Sequence, residues 1–206
     1  MRNTRTKQEI LASPNILLVY GIPTSGKSIL TYNTFVKDSS EVESKYDLMR
    51  YTKCDTKLLL GWYNNENSNR NGLDSIERSQ VGELGKQIVA LNDDSLGIVL
   101  EGNRCISRPM IKYLEDNNTK NIVGIWVCCN QDVAYKRTLK AREFSGDRQI
   151  KIIKSSYTAS SNFSKDLDEM GYEVYCVDTT NCDDFTNKTF YDFDLTRLKE
   201  GKQTLW

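Results

Sequence analysis

The sequence contains no histidine. This excludes His-based catalytic triads, His-ligated zinc and imidazole acid–base chemistry. It also lacks net charge, since 28 Lys and Arg balance 28 Asp and Glu. No global field draws the chain to nucleic acid or membrane, so any such contact must be local. None of the six cysteines forms a C-x-x-C pair, and Cys128 and Cys129 adjoin within an apolar run. They read as structural thiols of a reducing compartment. The stretch Met1–Glu9 is polar and basic without an apolar h-region, and no run approaches membrane-spanning length. The expectation is a cytoplasmic chain with no membrane partner. There is no internal repeat and no convincing linker.

What is present is the pattern of a single α/β domain over residues 1–206. Short, nearly continuous apolar runs at Ile16–Tyr20, Leu96–Glu101 and Ile122–Cys129 predict buried parallel strands, and Glu173–Val177 a fourth. Leu48–Cys54 and Lys57–Trp62 also read as extended. Helical patterns fall between them, at Lys27–Val36, Ile76–Leu91, Pro109–Asn117, Gln131–Arg142 and Ile150–Met170. Gly171 suits the position just past the last helix. Strands alternating with helices predict a three-layer fold around a parallel sheet wound in both directions. Asn64–Asn71 reads as a polar loop, and the aromatic tail, about 179–206, as a segment wrapping the domain.

Residues Gly21-Ile22-Pro23-Thr24-Ser25-Gly26-Lys27-Ser28 match G-x-x-x-x-G-K-[ST] in full. The match follows an apolar strand and opens a helical pattern, which is the context the motif needs. Its glycines let successive backbone N–H groups face inward and cradle phosphates at a helix N-terminus. Lys27 is then placed for the β- and γ-phosphates and Ser28 for Mg²⁺. The expected ligands are a nucleoside triphosphate, ATP, and Mg²⁺. No N-K-x-D base-reading motif accompanies the loop, and the small size favours a kinase.

Leu96–Glu101 ends in a carboxylate where a parallel sheet carries its site, so Glu101 is predicted to face the phosphates. It can hold Mg²⁺ through water or take a proton from an acceptor hydroxyl. Gly102 permits close backbone approach. Arg104 can brace a phosphate or form a surface ion pair. Asp74, in Gly72-Leu73-Asp74, is either a helix N-cap or a carboxylate for the acceptor hydroxyl. Trp62 and Tyr63 either stack on a base or pack in the core. Lys136–Lys154 holds seven cations against two acids, interrupted at Phe144–Asp147. It reads as a lid over phosphates, with Arg137 and Arg142 toward the nucleotide, or as a solvated helix face.

With these motifs in this order, the chain resembles small phage P-loop kinases that include the 5-hydroxymethyluracil-DNA kinases. More distantly it is similar to nucleoside and nucleoside-monophosphate kinases. The resemblance covers about Ile16–Asp168. It rests on Gly21–Ser28, Leu60-Gly61-Trp62-Tyr63, Gly72-Leu73-Asp74, Glu101-Gly102-Asn103-Arg104 and the basic helix followed by Lys154–Phe163. That family often has Gly-Thr-Asp in place of Gly72-Leu73-Asp74, and its lid is richer in arginine. The resemblance implies ATP-dependent phosphorylation of a hydroxymethyl group on a pyrimidine in DNA, with Lys27, Asp74, Glu101 and Arg104 as catalytic residues. The residues alone reach phosphoryl transfer to a hydroxyl, and leave open a free nucleoside or nucleotide as acceptor, or a P-loop NTPase acting as a switch.

Overall fold

A computed structural model describes residues 6–12, 16–40, 43–46, 50–61, 63, 72–73, 81–91, 96–103, 107–117, 121–141, 146–182 and 196–197. Expectations for Trp62, Asp74, Arg104, Cys105 and Arg142, for Asn64–Asn71 and for most of the tail lie outside these residues. The described elements run α1 Lys7–Ala12, β1 Ile16–Tyr20, α2 Lys27–Phe35, β2 Glu43–Tyr46, β3 Arg50–Lys53, β4 Lys57–Leu60 and α3 Val81–Ala90. They continue with β5 Gly97–Glu101, α4 Arg108–Asp116, β6 Ile122–Cys128, α5 Gln131–Ala141, α6 Asp147–Glu169, β7 Glu173–Asp178 and β8 Thr196–Arg197.

All eight strands join one sheet, ordered β2-β3-β4-β5-β1-β6-β7-β8. The stretch β4-β5-β1-β6-β7 is parallel, as the apolar runs predict. The sheet as a whole is mixed. At one edge β2 and β3 pair antiparallel, and at the other β8 runs antiparallel to β7. β2, at the edge of the described sheet, reads Glu-Ser-Lys-Tyr and carries no apolar run; charge on an edge strand discourages further pairing. α1 was also invisible to hydrophobic periodicity. Its signal is a capping box, in which the Thr6 N–H donates to Glu9 Oε2 (2.6 Å) and the Glu9 N–H to Thr6 Oγ1 (3.2 Å).

Successive side chains of β1 go to opposite faces. Ile16, Leu18 and Tyr20 pack with Leu84, Ile111 and Leu167 from α3, α4 and α6, while Leu17 and Val19 pack with Ile10 and Leu30 from α1 and α2. Helices therefore cover both faces. The chain leaves β1 through α2 on one face and leaves β5 through α4 on the other, because right-handed crossovers in opposite directions require opposite faces. β1 sits between β5 and β6, so its C-terminal end is the point where the winding reverses. Such a point opens a crevice outside the sheet. α6 stops in a Schellman motif, with the Tyr172 N–H on Leu167 O, the Gly171 N–H on Asp168 O, and Gly171 at φ +85°.

The described cysteines are thiols, and burial pushes Cys54 up to about 11. Cys128 and Cys176 lie 3.0 Å apart across β6 and β7, and the Cys176 thiol together with burial pushes Cys128 far above the ordinary thiol range. Both features suit unreactive core thiols.

Lys57 is fully buried at the start of β4, the end of the sheet away from the crevice. Burial lowers its pKa from 10.5 to about 8. Below that value folded and unfolded chains both carry the proton, and the burial penalty is present in full. Between about 8 and 10.5 the unfolded chain binds more protons, so stability rises with pH across that window. Urea unfolding from pH 7 to 10 should show wild type gaining on Lys57→Met as pH rises. Parallel pH profiles for the two proteins would refute this account.

Candidate functional site

The Gly21–Ser28 loop leaves β1 at the reversal point and enters α2. Gly21 is confined on the β6 side, where a Cβ would lie 1.9 Å from the Val127 carbonyl oxygen, and its φ of +149° is one that side chains rarely adopt. Gly26 precedes the helix at φ +93° and ψ +13° with no side-chain cap, and the first turn of α2 has no acidic residue. The helix therefore presents uncapped N–H groups, the partial positive charge that an anion seeks. Thr24 holds the left-handed region at φ +62°. Its hydroxyl donates to Ala134 O at 3.0 Å and lies 3.1 Å from Thr138 Oγ1, both on α5. Ile22 plugs between α5 and α6 against Ala134 and Ile153.

Lys27 is buried, and its ammonium donates to Gly21 O (3.1 Å) and Ile22 O (3.0 Å) of its own loop. The Ser28 hydroxyl donates to Glu101 Oε2 at 3.0 Å. Glu101, at the end of β5 and only 2% exposed, is the meeting point of the site. The same oxygen also accepts the Tyr63 hydroxyl at 3.0 Å. Tyr63 is itself held by Thr52 on β3, whose hydroxyl accepts the Tyr63 N–H and donates to Gly61 O, both at 3.2 Å. Gly72 presses on the carboxylate so closely that a Cβ there would lie 2.1 Å from Oε2. Gly102, at φ +131°, continues the ladder by donating to Val19 O at 3.0 Å.

The structure thus brings Gly21–Ser28, Glu101 and the Gly72–Leu73 segment together. Of the two roles open to Tyr63, its fully buried ring takes the core position, and its hydroxyl serves Glu101. Arg137 does not lie with the exposed cations of its helix. Its guanidinium donates to Thr179 O (2.7 Å), Cys182 O (2.6 Å) and Thr179 Oγ1 (3.3 Å), fixing the turn after β7. That turn supports the loop, since the Thr179 hydroxyl donates to Ser25 O at 2.8 Å. Arg137 also opposes, without cancelling, the upward push of burial on the Cys129 thiol. Lys136, Lys140, Arg148, Lys151 and Lys154 remain exposed.

Two participants escaped the sequence reading. Thr179 has no motif around it. Asn103 had one, an amide two residues beyond a strand-end carboxylate, and it contacts Gly21 directly. No protein-family model matches the sequence, and comparison with curated proteins finds no match. Among the described residues no group of three or more His, Cys, Asp or Glu could hold a metal, and no helix is long and apolar enough to cross a membrane.

Proposed function

We propose that this chain is a P-loop kinase that transfers a phosphoryl group from ATP to a hydroxyl. The observation that carries the reading is the pairing of Ser28 with Glu101 at the reversal point of the sheet, in the first turn of a helix whose N-terminus has no side-chain cap. A loop of this composition at this place suits a triphosphate. The Ser25 hydroxyl, buried in the loop with no hydrogen-bond partner among the described residues, fits a site built for further oxygen ligands. Ser28 and Glu101 are the residues that would hold Mg²⁺, which when bound neutralises phosphate charge. Lys27 then exchanges loop carbonyls for phosphate oxygens. Asp74 follows Gly72–Leu73 in the sequence, and its proposed role is toward the acceptor.

For the acceptor, the family resemblance favours a 5-hydroxymethylpyrimidine in DNA. The exposed Lys136, Lys140, Arg148, Lys151 and Lys154 on α5 and the first turns of α6 supply a local positive surface on a neutral chain, suited to backbone phosphates. A base inside a duplex cannot reach the loop, so it would have to leave the stack. The test is transfer from γ-labelled ATP to a hydroxymethylated oligonucleotide, to the matching free nucleoside and to no acceptor, over a salt series. Transfer should favour the oligonucleotide and fall steeply with salt. Replacing Lys151 and Lys154 by Gln should flatten that slope by about two phosphate contacts' worth. Faster, salt-insensitive labelling of the nucleoside would move the acceptor to a free metabolite. ATP hydrolysis indifferent to any acceptor would instead make the protein a switch.

A further inference from the structure

One side chain grips both backbone polar atoms of Gly21, the first residue of the phosphate loop. The Gly21 N–H donates to Asn103 Oδ1 at 3.0 Å, and Asn103 Nδ2 donates to Gly21 O at 2.6 Å. A neutral carboxamide can do both at once, whereas a carboxylate has no donor and a hydroxyl cannot span the pair. Asn103 lies two residues past Glu101, so this grip joins the turn bearing the carboxylate to the turn that opens the loop. With the Val127 carbonyl closing on Gly21 from the β6 side, Gly21 is held between β6 and the turn after β5.

Gly21 O has a second donor, the Lys27 ammonium at 3.1 Å. Under the kinase reading, on which this inference rests, Lys27 must leave that carbonyl to reach phosphate. A carbonyl in this enclosed place would then be left without a partner, which is penalised. Asn103 keeps it bonded. We infer that Asn103 is a positioning residue for phosphoryl transfer. It satisfies the Gly21 carbonyl that Lys27 vacates and keeps the loop in register with Glu101 while the lysine moves. Gly21 O therefore stays bonded with Lys27 on the loop or on the phosphate, and the separation of ammonium and carboxylate is fixed by one amide.

The role separates from simple loop support through its dependence on Lys27. The full chain is prepared as wild type, Asn103→Ala, Asn103→Asp, Lys27→Ala and the Asn103→Ala/Lys27→Ala double variant. ATP with Mg²⁺ is titrated into each by calorimetry, and melting is followed without nucleotide. Asn103→Ala should weaken binding about tenfold. Its melting temperature should fall by about 2–6 °C, since the Gly21 N–H loses its acceptor although Lys27 still covers the carbonyl in the free protein. Asn103→Asp keeps the acceptor for the Gly21 N–H but not the donor, and should not restore binding. In the Lys27→Ala background no carbonyl is vacated on binding, so adding Asn103→Ala should change affinity less than about twofold. An equal loss with and without Lys27, full rescue by Asn103→Asp, or wild-type affinity in Asn103→Ala would each overturn the proposal while leaving the kinase reading intact. Absence of ATP binding by the wild-type protein would overturn both.

Discussion

Lys27→Ala should yield a folded protein whose phosphoryl transfer is slower by about a thousandfold, with a smaller loss in ATP affinity. The ammonium is buried and bonded to two loop carbonyls, so it is already desolvated at the loop, a side-chain movement away from a phosphate held there. Preorganised charge of this kind acts most strongly where charge shifts during reaction, in a site from which water is excluded. The fold should survive because Lys27 belongs to neither face of the core, and Gly21 O keeps Asn103 after the truncation. Single-turnover transfer from γ-labelled ATP, alongside circular dichroism, checks this. A folded Lys27→Ala protein with near-normal transfer would remove the loop from the mechanism.

The second large effect is expected at Glu101. Glu101→Gln preserves the size of the side chain and an oxygen acceptor for Ser28 and Tyr63, but removes the charge. Transfer should fall about a hundredfold, and half-saturation by Mg²⁺ should move up by about tenfold. The carboxylate is 2% exposed, with two hydroxyls on one oxygen and the Gly72 backbone against it. Its negative charge is therefore held close to Ser28 and is poorly screened by solvent. A Mg²⁺ titration of the rate in wild type and variant makes the measurement. If Glu101→Gln loses thermal stability but keeps both rate and Mg²⁺ dependence, Glu101 is a structural strand end and not part of the metal side.

Much of the site was legible because its chemistry is local in the chain. The eight residues from Gly21 to Ser28 carry their own backbone requirements, and the apolar run before them specifies a buried strand. Glu101 could be placed from one rule, that parallel strands present their C-terminal ends to a ligand. Tyr63 was ambiguous because an aromatic at a strand end can face either a cleft or the core. The Thr52 contacts from β3 hold it toward Glu101. Sequence spacing alone groups Arg137 with its cationic neighbours. A helix rotates successive residues by about 100°, which left Lys136 and Lys140 in solvent and turned Arg137 toward the Thr179–Cys182 turn.

By itself the sequence determined the parallel strands, their intervening helices and the phosphate-loop motif, since each depends on neighbours within a few positions. It also settled that no histidine takes part. The antiparallel edges, the joining of Gly72 to Glu101 and the support of the loop by Thr138, Thr179 and Asn103 were decided only in three dimensions. The loop-supporting contacts join residues about 80 to 150 positions apart, as in Gly21 with Asn103 and Ser25 with Thr179. They exist because strand order sets β5 and β6 on either side of β1, and a polar side chain has no periodicity to announce which distant backbone atom it will meet.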